Sequence, residues 1–176
     1  VADTLPTVLA HSRRLVLDAD ALNHIAATPG LRQALRERGQ GRAPTVLTPH
    51  PLEAARLWGR TTAEVQAARL DCAQALADEF GCAVVLKGSG TVIAAPGRVP
   101  VVNPSGNARL GTAGTGDVLA GMLGAAWAPL AVASGDAGFE AVCAAVFQHG
   151  WLADQWDEAR DGTLTAGGLA ARVTAF

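Results

Sequence analysis

Four short stretches of the sequence carry residue types and spacings suited to chemistry. The densest is GNARLGTAGTGDVLAG, in which Gly106, Gly111, Gly114 and Gly116 crowd ahead of an apolar-periodic run. Glycine lets the backbone turn so that successive N–H groups converge, and a following helix N-terminus adds partial positive charge. Such a segment makes an anion hole. Asp117 stands at its mouth, where a carboxylate accepts a proton from a hydroxyl while the N–H groups hold a phosphoryl group in transfer. Helix capping by Asp117 and close packing by the glycines would account for the same residues. No Lys-Ser or Lys-Thr follows these glycines, and no strand precedes them, so neither a P-loop nor a dinucleotide fingerprint is present.

The second stretch is Lys87-Gly88-Ser89-Gly90-Thr91, built around the only lysine among fourteen basic residues. A lysine at the end of a strand neutralises phosphate, and Ser89 or Thr91 donates hydrogen bonds; a hairpin entry with a solvated lysine is the alternative. Third is Thr48-Pro49-His50-Pro51-Leu52-Glu53, where flanking prolines stiffen the loop and hold the imidazole in place for a ligand or for a structural bond. Fourth, Asp18 and Asp20 in LDADALN put two carboxylates at a strand end, suited to a water-bridged Mg2+, to a substrate hydroxyl or to helix capping. His149 and Asp154 fall in a long apolar helix, where an internal hydrogen bond is the simpler role.

These stretches need strands to present them. Leu15 to Leu17, Thr45 to Leu47 and Cys82 to Leu86 are short, apolar and β-branched, and each stops at polar or glycine residues, the ends at which open α/β sheets bind ligands. Helix-compatible residues run from Ala21 to Ala27. A helix is predicted over 62–80, with Thr61 and Glu64 as capping box and Val65, Ala68, Cys72 and Leu76 on one face. Thr91 to Ala94 and Val99 to Val102 flank Pro96-Gly97 and predict a hairpin. Helices are predicted over 117–127, 139–158 and 169–173. The pattern is that of a single α/β domain over 1–176, a three-layer α/β/α sandwich whose sheet is mostly parallel with a β-hairpin.

Composition sets the outer limits. The chain of 176 residues is 49% hydrophobic and 17% charged, enough apolar residue for a core without staples. A net charge of −2 excludes a phosphate-tracking surface for nucleic acid. Three cysteines, odd in number and set in apolar segments, read as reduced thiols of a cytoplasmic protein. No signal-peptide pattern or membrane-length apolar run is present.

Taken together, VLDADALN, TVLTPHPLEAARLWG, VVLKGSGTVI, NPSGN and GTGDVLAG, with QHGWLAD behind them, closely resemble the ADP-dependent NAD(P)H-hydrate dehydratases of the ribokinase-like superfamily. The resemblance runs from about Leu15 to Asp154. It implies phosphorylation of the hydroxyl on hydrated NADH or NADPH from ADP (or ATP), with Mg2+, followed by phosphate elimination. It assigns Lys87, Gly88, Ser89, Gly90, Thr91, Thr115 and Gly116 to the nucleotide. His50, Asn107, Asp20 and Asp117 go to the hydrated cofactor, with Asp117 handling the hydroxyl, and no residue is a metal ligand. It further implies a homo-oligomer and an NAD(P)H-hydrate epimerase as functional partner. Nothing before Asp18 resembles the family's first strands and glycine-rich loop, so the chain is expected to be the carboxyl-terminal part of the domain with N-terminal strands missing. Ala108, Arg109 and Leu110 depart from the family's pattern and bring new charge near the phosphates. A vitamin-precursor kinase of the same superfamily and a nucleotide-binding fragment without turnover are the alternative readings.

Overall fold

The structure, a computed structural model, describes residues 3–130 and 136–173. Contacts divide it into two compact units, Val1–Val102 and Asn103–Phe176.

The first unit holds α1 (Leu5–His11), β1 (Leu15–Leu17), α2 (Asp20–Ala27), α3 (Pro29–Gln40), β2 (Thr45–Leu47), α4 (Pro51–Trp58), α5 (Thr62–Ala67), α6 (Arg69–Phe80), β3 (Ala83–Leu86), β4 (Val92–Ala94) and β5 (Val101–Val102). The sheet order is β1-β2-β3-β4-β5. β1, β2 and β3 run parallel, and the hairpin strands β4 and β5 are antiparallel. In register Leu17 lies against Leu47, Leu47 against Val84, Val84 against Ala94, and Leu86 against Val92. Because side chains alternate along a strand, these residues share one face. That face packs into a core with Leu22, Ile25, Leu35, Leu57, Leu76 and Phe80 from the helices. Each such buried side chain contributes about 1.5–3 kcal/mol. Val46, Val85 and Ile93, on the opposite face, are also buried.

Two contacts fix the helices. A Cβ on Gly39 of α3 would overlap the Phe80 carbonyl at the end of α6, so the two backbones touch where no other residue fits. The buried Arg38 donates to the Leu9 carbonyl of α1 and to Thr45 Oγ1 at the start of β2, 2.9 and 2.8 Å away, tying three elements together.

The helix predicted over 62–80 is two helices. Ala68 leaves helical geometry at φ −135°, ψ 50° and separates α5 from α6. The Thr61–Glu64 capping box is present.

The second unit is helical among its described residues: a 3₁₀ turn at Ala108–Gly111, α7 (Thr115–Trp127), α8 (Asp136–Asp154), α9 (Glu158–Asp161) and α10 (Ala166–Ala170). α7 starts two residues before the sequence predicts, because the left-handed Gly114 (φ 85°) is its cap and Asp117 falls inside the first turn. The helix predicted to reach Glu158 stops at Asp154, since the Asp157 side chain accepts from the Ala159 N–H and opens α9. Of the five residues at helical spacing, Phe139, Val142, Val146, Gly150 and Ala153, the last four are buried on one face of α8 and Phe139 is half-buried. No helix among the described residues is long and apolar enough to cross a membrane.

Candidate active site

In the first unit the ends of three parallel strands come together. Lys87, one residue beyond β3, donates from Nζ to Asp18 Oδ1 at 2.7 Å, one residue beyond β1. Its N–H bonds the Pro49 carbonyl, beyond β2, at 2.8 Å. The chain's one lysine is thus fixed by an ion pair rather than solvated. Asp20, the carboxylate the sequence reading assigned to the substrate, is exposed with no partner among the described residues, so its neighbour Asp18 does the pairing. Between them Ala19 takes φ 48°, a backbone form that L residues avoid.

His50 caps α4. Its Nδ1 accepts from the N–H groups of Leu52 and Glu53, at 3.1 and 3.2 Å, and the Glu53 carboxylate accepts from the His50 N–H at 2.8 Å. With Nδ1 accepting, the ring proton is on Nε2, which lies 3.2 Å from Glu53 Oε1. The ring is nearly half exposed, at 45%. It is therefore orientated by its own helix and still open to solvent.

The Lys87–Thr91 loop is braced by a residue that sequence reasoning missed. Arg69, at the start of α6, donates from Nη2 to the carbonyls of Leu86, Lys87 and Gly90 at 3.0, 3.3 and 3.2 Å. Thr91 Oγ1 donates to the Gly88 carbonyl at 3.0 Å, so its hydroxyl serves the loop itself. Gly88 (φ 133°) and Gly90 (φ 65°) hold conformations suited to glycine.

The second unit carries the other glycine-rich segment. Gly114 precedes α7, whose first-turn N–H groups at Gly116 and Asp117 have no hydrogen-bond partner among the described residues. The Asp117 carboxylate is exposed, makes no hydrogen bond there and caps nothing, which removes the capping explanation for it. Thr115 is buried, and its hydroxyl faces the carbonyls of Leu110 and Thr112 at 2.7 and 2.9 Å. His149 of α8 bonds the Thr115 carbonyl at 2.9 Å, as the internal role predicts, and burial pulls its pKa below 6.5.

Asn107 is also occupied. Its Nδ2 donates to the Ala153 carbonyl and to Asp154 Oδ1 at 3.0 and 2.9 Å, and its Oδ1 accepts from the Arg109 N–H at 3.1 Å. Asp154 accepts from the Gly106 N–H at 2.7 Å as well. Asp154 therefore pins the loop from the end of α8, a tie no local signal announces. Arg109 pairs with Glu158 at 2.8 Å, so its charge is answered within its own unit.

A family model described as NAD(P)H-hydrate dehydratase matches residues 1–173. The chain belongs to this family. Within the NAD(P)H-hydrate dehydratase family it is 44% identical, over 159 residues, to the ADP-dependent (S)-NAD(P)H-hydrate dehydratase of Neisseria meningitidis serogroup B, covering 90% of this chain and 50% of that protein. A Bacillus subtilis ADP/ATP-dependent NAD(P)H-hydrate dehydratase co-crystallised with ATP and Mg2+ superposes with TM-score 0.64 and 37% identity, covering 73% of this chain and 45% of that one. A ribokinase-like superfamily protein from Enterococcus faecalis V583 gives TM-score 0.69 at 26% identity, over 97% of this chain and 55% of that one. The ribokinase-like α/β fold is therefore shown, and the chain spans about half the length of these relatives.

Proposed function

We propose that the protein repairs hydrated NADH and NADPH, using ADP as phosphate donor. The observation that carries this reading is Asp117: an exposed carboxylate without a partner among the described residues, on a helix turn whose Gly116 and Asp117 N–H groups are unbonded. The substrate hydroxyl gives its proton to Asp117 as its oxygen attacks the β-phosphorus of ADP, and the bond to the AMP oxygen breaks. Phosphate then leaves the ring carbon as a neighbouring carbon loses a proton, restoring the reduced nicotinamide. Phosphorylation makes a poor leaving group a good one, and the unbonded N–H groups hold the phosphoryl oxygens throughout.

Lys87, Gly88, Ser89 and Gly90 are assigned to the nucleotide phosphates, with Thr91 and Arg69 shaping their loop, and Gly116 to the phosphoryl group. His50 is assigned to the hydrated cofactor, held ready by its helix cap, and Asp20 remains free for a substrate hydroxyl. Thr115 and Asn107, whose polar groups are used internally, are assigned to holding the loop rather than touching ligand. Among the described residues no group of three His, Cys, Asp or Glu side chains could hold a metal ion. Mg2+ is assigned to the nucleotide's phosphates and waters, since this ion keeps several waters and needs no cage of protein ligands. The match of one family model to residues of both units supports a single ribokinase-like domain. A cytoplasmic setting, a homo-oligomer and an epimerase that interconverts hydrate isomers complete the proposal.

The test incubates hydrated NADH with ADP or ATP, Mg2+ and the 176-residue chain, following reduced-nicotinamide absorbance. Asp117→Asn should lower turnover about 10²–10⁴-fold while ADP affinity changes less than about threefold. Near-full activity of the variant removes Asp117 from proton transfer. Release of a phosphorylated vitamin-type alcohol, with no return of absorbance, replaces the repair reading by that of a kinase.

A further inference from the structure

We infer that Arg69 is the positioning residue that holds the Lys87–Thr91 loop in its phosphate-receiving form. The inference rests on the nucleotide reading above and adds the reason this loop can accept an anion. Four carbonyls in and just before it are engaged: those of Leu86, Lys87 and Gly90 accept from Arg69 Nη2, and that of Gly88 accepts from Thr91 Oγ1. Its donors are not. The Lys87 N–H is used by the Pro49 carbonyl, whereas the N–H groups of Gly88, Ser89 and Gly90 have no partner among the described residues.

A glycine-rich loop can reverse its peptide planes at little cost, exchanging N–H for C=O on either side. Three carbonyl oxygens gathered around one nitrogen repel each other unless that nitrogen is a cationic donor, so the guanidinium selects the arrangement that leaves three consecutive donors free. The neighbourhood is built for it. Gln66 Oε1 accepts from Arg69 Nη1 at 2.9 Å and fixes the other branch of the fork. A Cβ on Gly88 would stand 3.1 Å from Nη1, so glycine admits the guanidinium as well as the φ. The break at Ala68 makes Arg69 the first residue of α6 instead of a mid-helix position. A lysine has one nitrogen and cannot serve both the carbonyl trio and Gln66.

The experiment titrates the 176-residue chain, labelled with 15N-glycine and 15N-serine, with ADP and separately with adenosine. In the wild type, ADP should shift the Gly88, Ser89 and Gly90 amide resonances and adenosine should leave them in place. Arg69→Gln should weaken ADP binding about tenfold or more without altering adenosine binding, Arg69→Lys should fall between, and guanidinium ion should restore ADP affinity to Arg69→Ala but not change the wild type. Folded Arg69 variants that bind ADP within twofold of wild type overturn the inference while the nucleotide reading stands. An equal loss for ADP and adenosine overturns it as well, showing only a damaged fold. Wild-type loop amides that ignore ADP overturn both, and that result needs no variant.

Discussion

Gly150 decides between two opposed effects, and the structure gives the sign. It lies inside α8, where replacing glycine by alanine adds about 1 kcal/mol of helix stability on propensity alone. A Cβ there, however, would overlap Ser105 Oγ and stand 2.7 and 2.8 Å from the Ser105 carbonyl carbon and oxygen. Two of these atoms are backbone, so the loop must lift by something near an ångström. Overpacking of this kind costs about 1–3 kcal/mol. The lift also stretches the bonds from Ser105 Oγ to the Phe147 carbonyl (2.8 Å), Gly106 N–H to Asp154 (2.7 Å) and Asn107 to Ala153 (3.0 Å). Weakening them adds about 1–2 kcal/mol, each being worth about 0.5–1.5. The net for Gly150→Ala is a loss of about 2 kcal/mol, or about 4–8 °C in Tm for a chain of this size. Thermal melts followed by circular dichroism, with urea midpoints as a second measure, read it directly. An unchanged or higher Tm refutes the close approach of α8 to the loop.

Two further outcomes follow from buried groups. Burial lowers the His149 pKa below 6.5, so below about pH 6.5 the unfolded chain binds a proton more readily than the folded one. Stability should therefore be level above pH 6.5 and fall beneath it, and urea midpoints of wild type against His149→Gln at pH 7.5 and 5.5 should show a smaller acid loss in the variant; equal losses sink the idea. Burial also pushes the Cys72 and Cys82 thiols up to about 11 and about 12. At pH 8 a thiol reagent should leave both untouched in the native chain, with peptide mapping as the check, and label them once urea is added; rapid native labelling of either contradicts the packing.

The strand ends were readable because apolar, β-branched runs stop abruptly at polar residues; β1 and β2 fall where those runs do, and the hairpin's second strand keeps only Val101–Val102 of the run from Val99. The boundary of α7 was less so, since only the left-handed turn at Gly114 moves Asp117 from cap to first turn. The break at Ala68 left no trace in the run Ala67-Ala68-Arg69, whose residues are all good helix formers; it coincides with bonds from Arg69 to carbonyls more than a dozen residues on. The Asp18–Lys87 pair joins residues 69 apart, and nothing local distinguishes Asp18 from Asp20. Asn107 entered through the family resemblance, and its bonds to the end of α8 are made across some forty-six residues of chain, beyond the reach of any local pattern. Residue type identified where ligands could be met, whereas which side chains were already engaged depended on tertiary partners.

The mixed sheet also orders the events by which the first unit can assemble. β3 meets β4 through Leu86 and Val92, six residues apart, a loop that closes quickly. β1 meets β2 only across a crossover of thirty residues, Leu15 to Thr45, and β2 meets β3 across thirty-seven, Val46 to Ala83. During synthesis β1 and β2 emerge before β3, so β2 stays without its central neighbour until β3 has been made. The Asp18–Lys87 bond spans both crossovers and so closes a longer loop than either parallel pairing does.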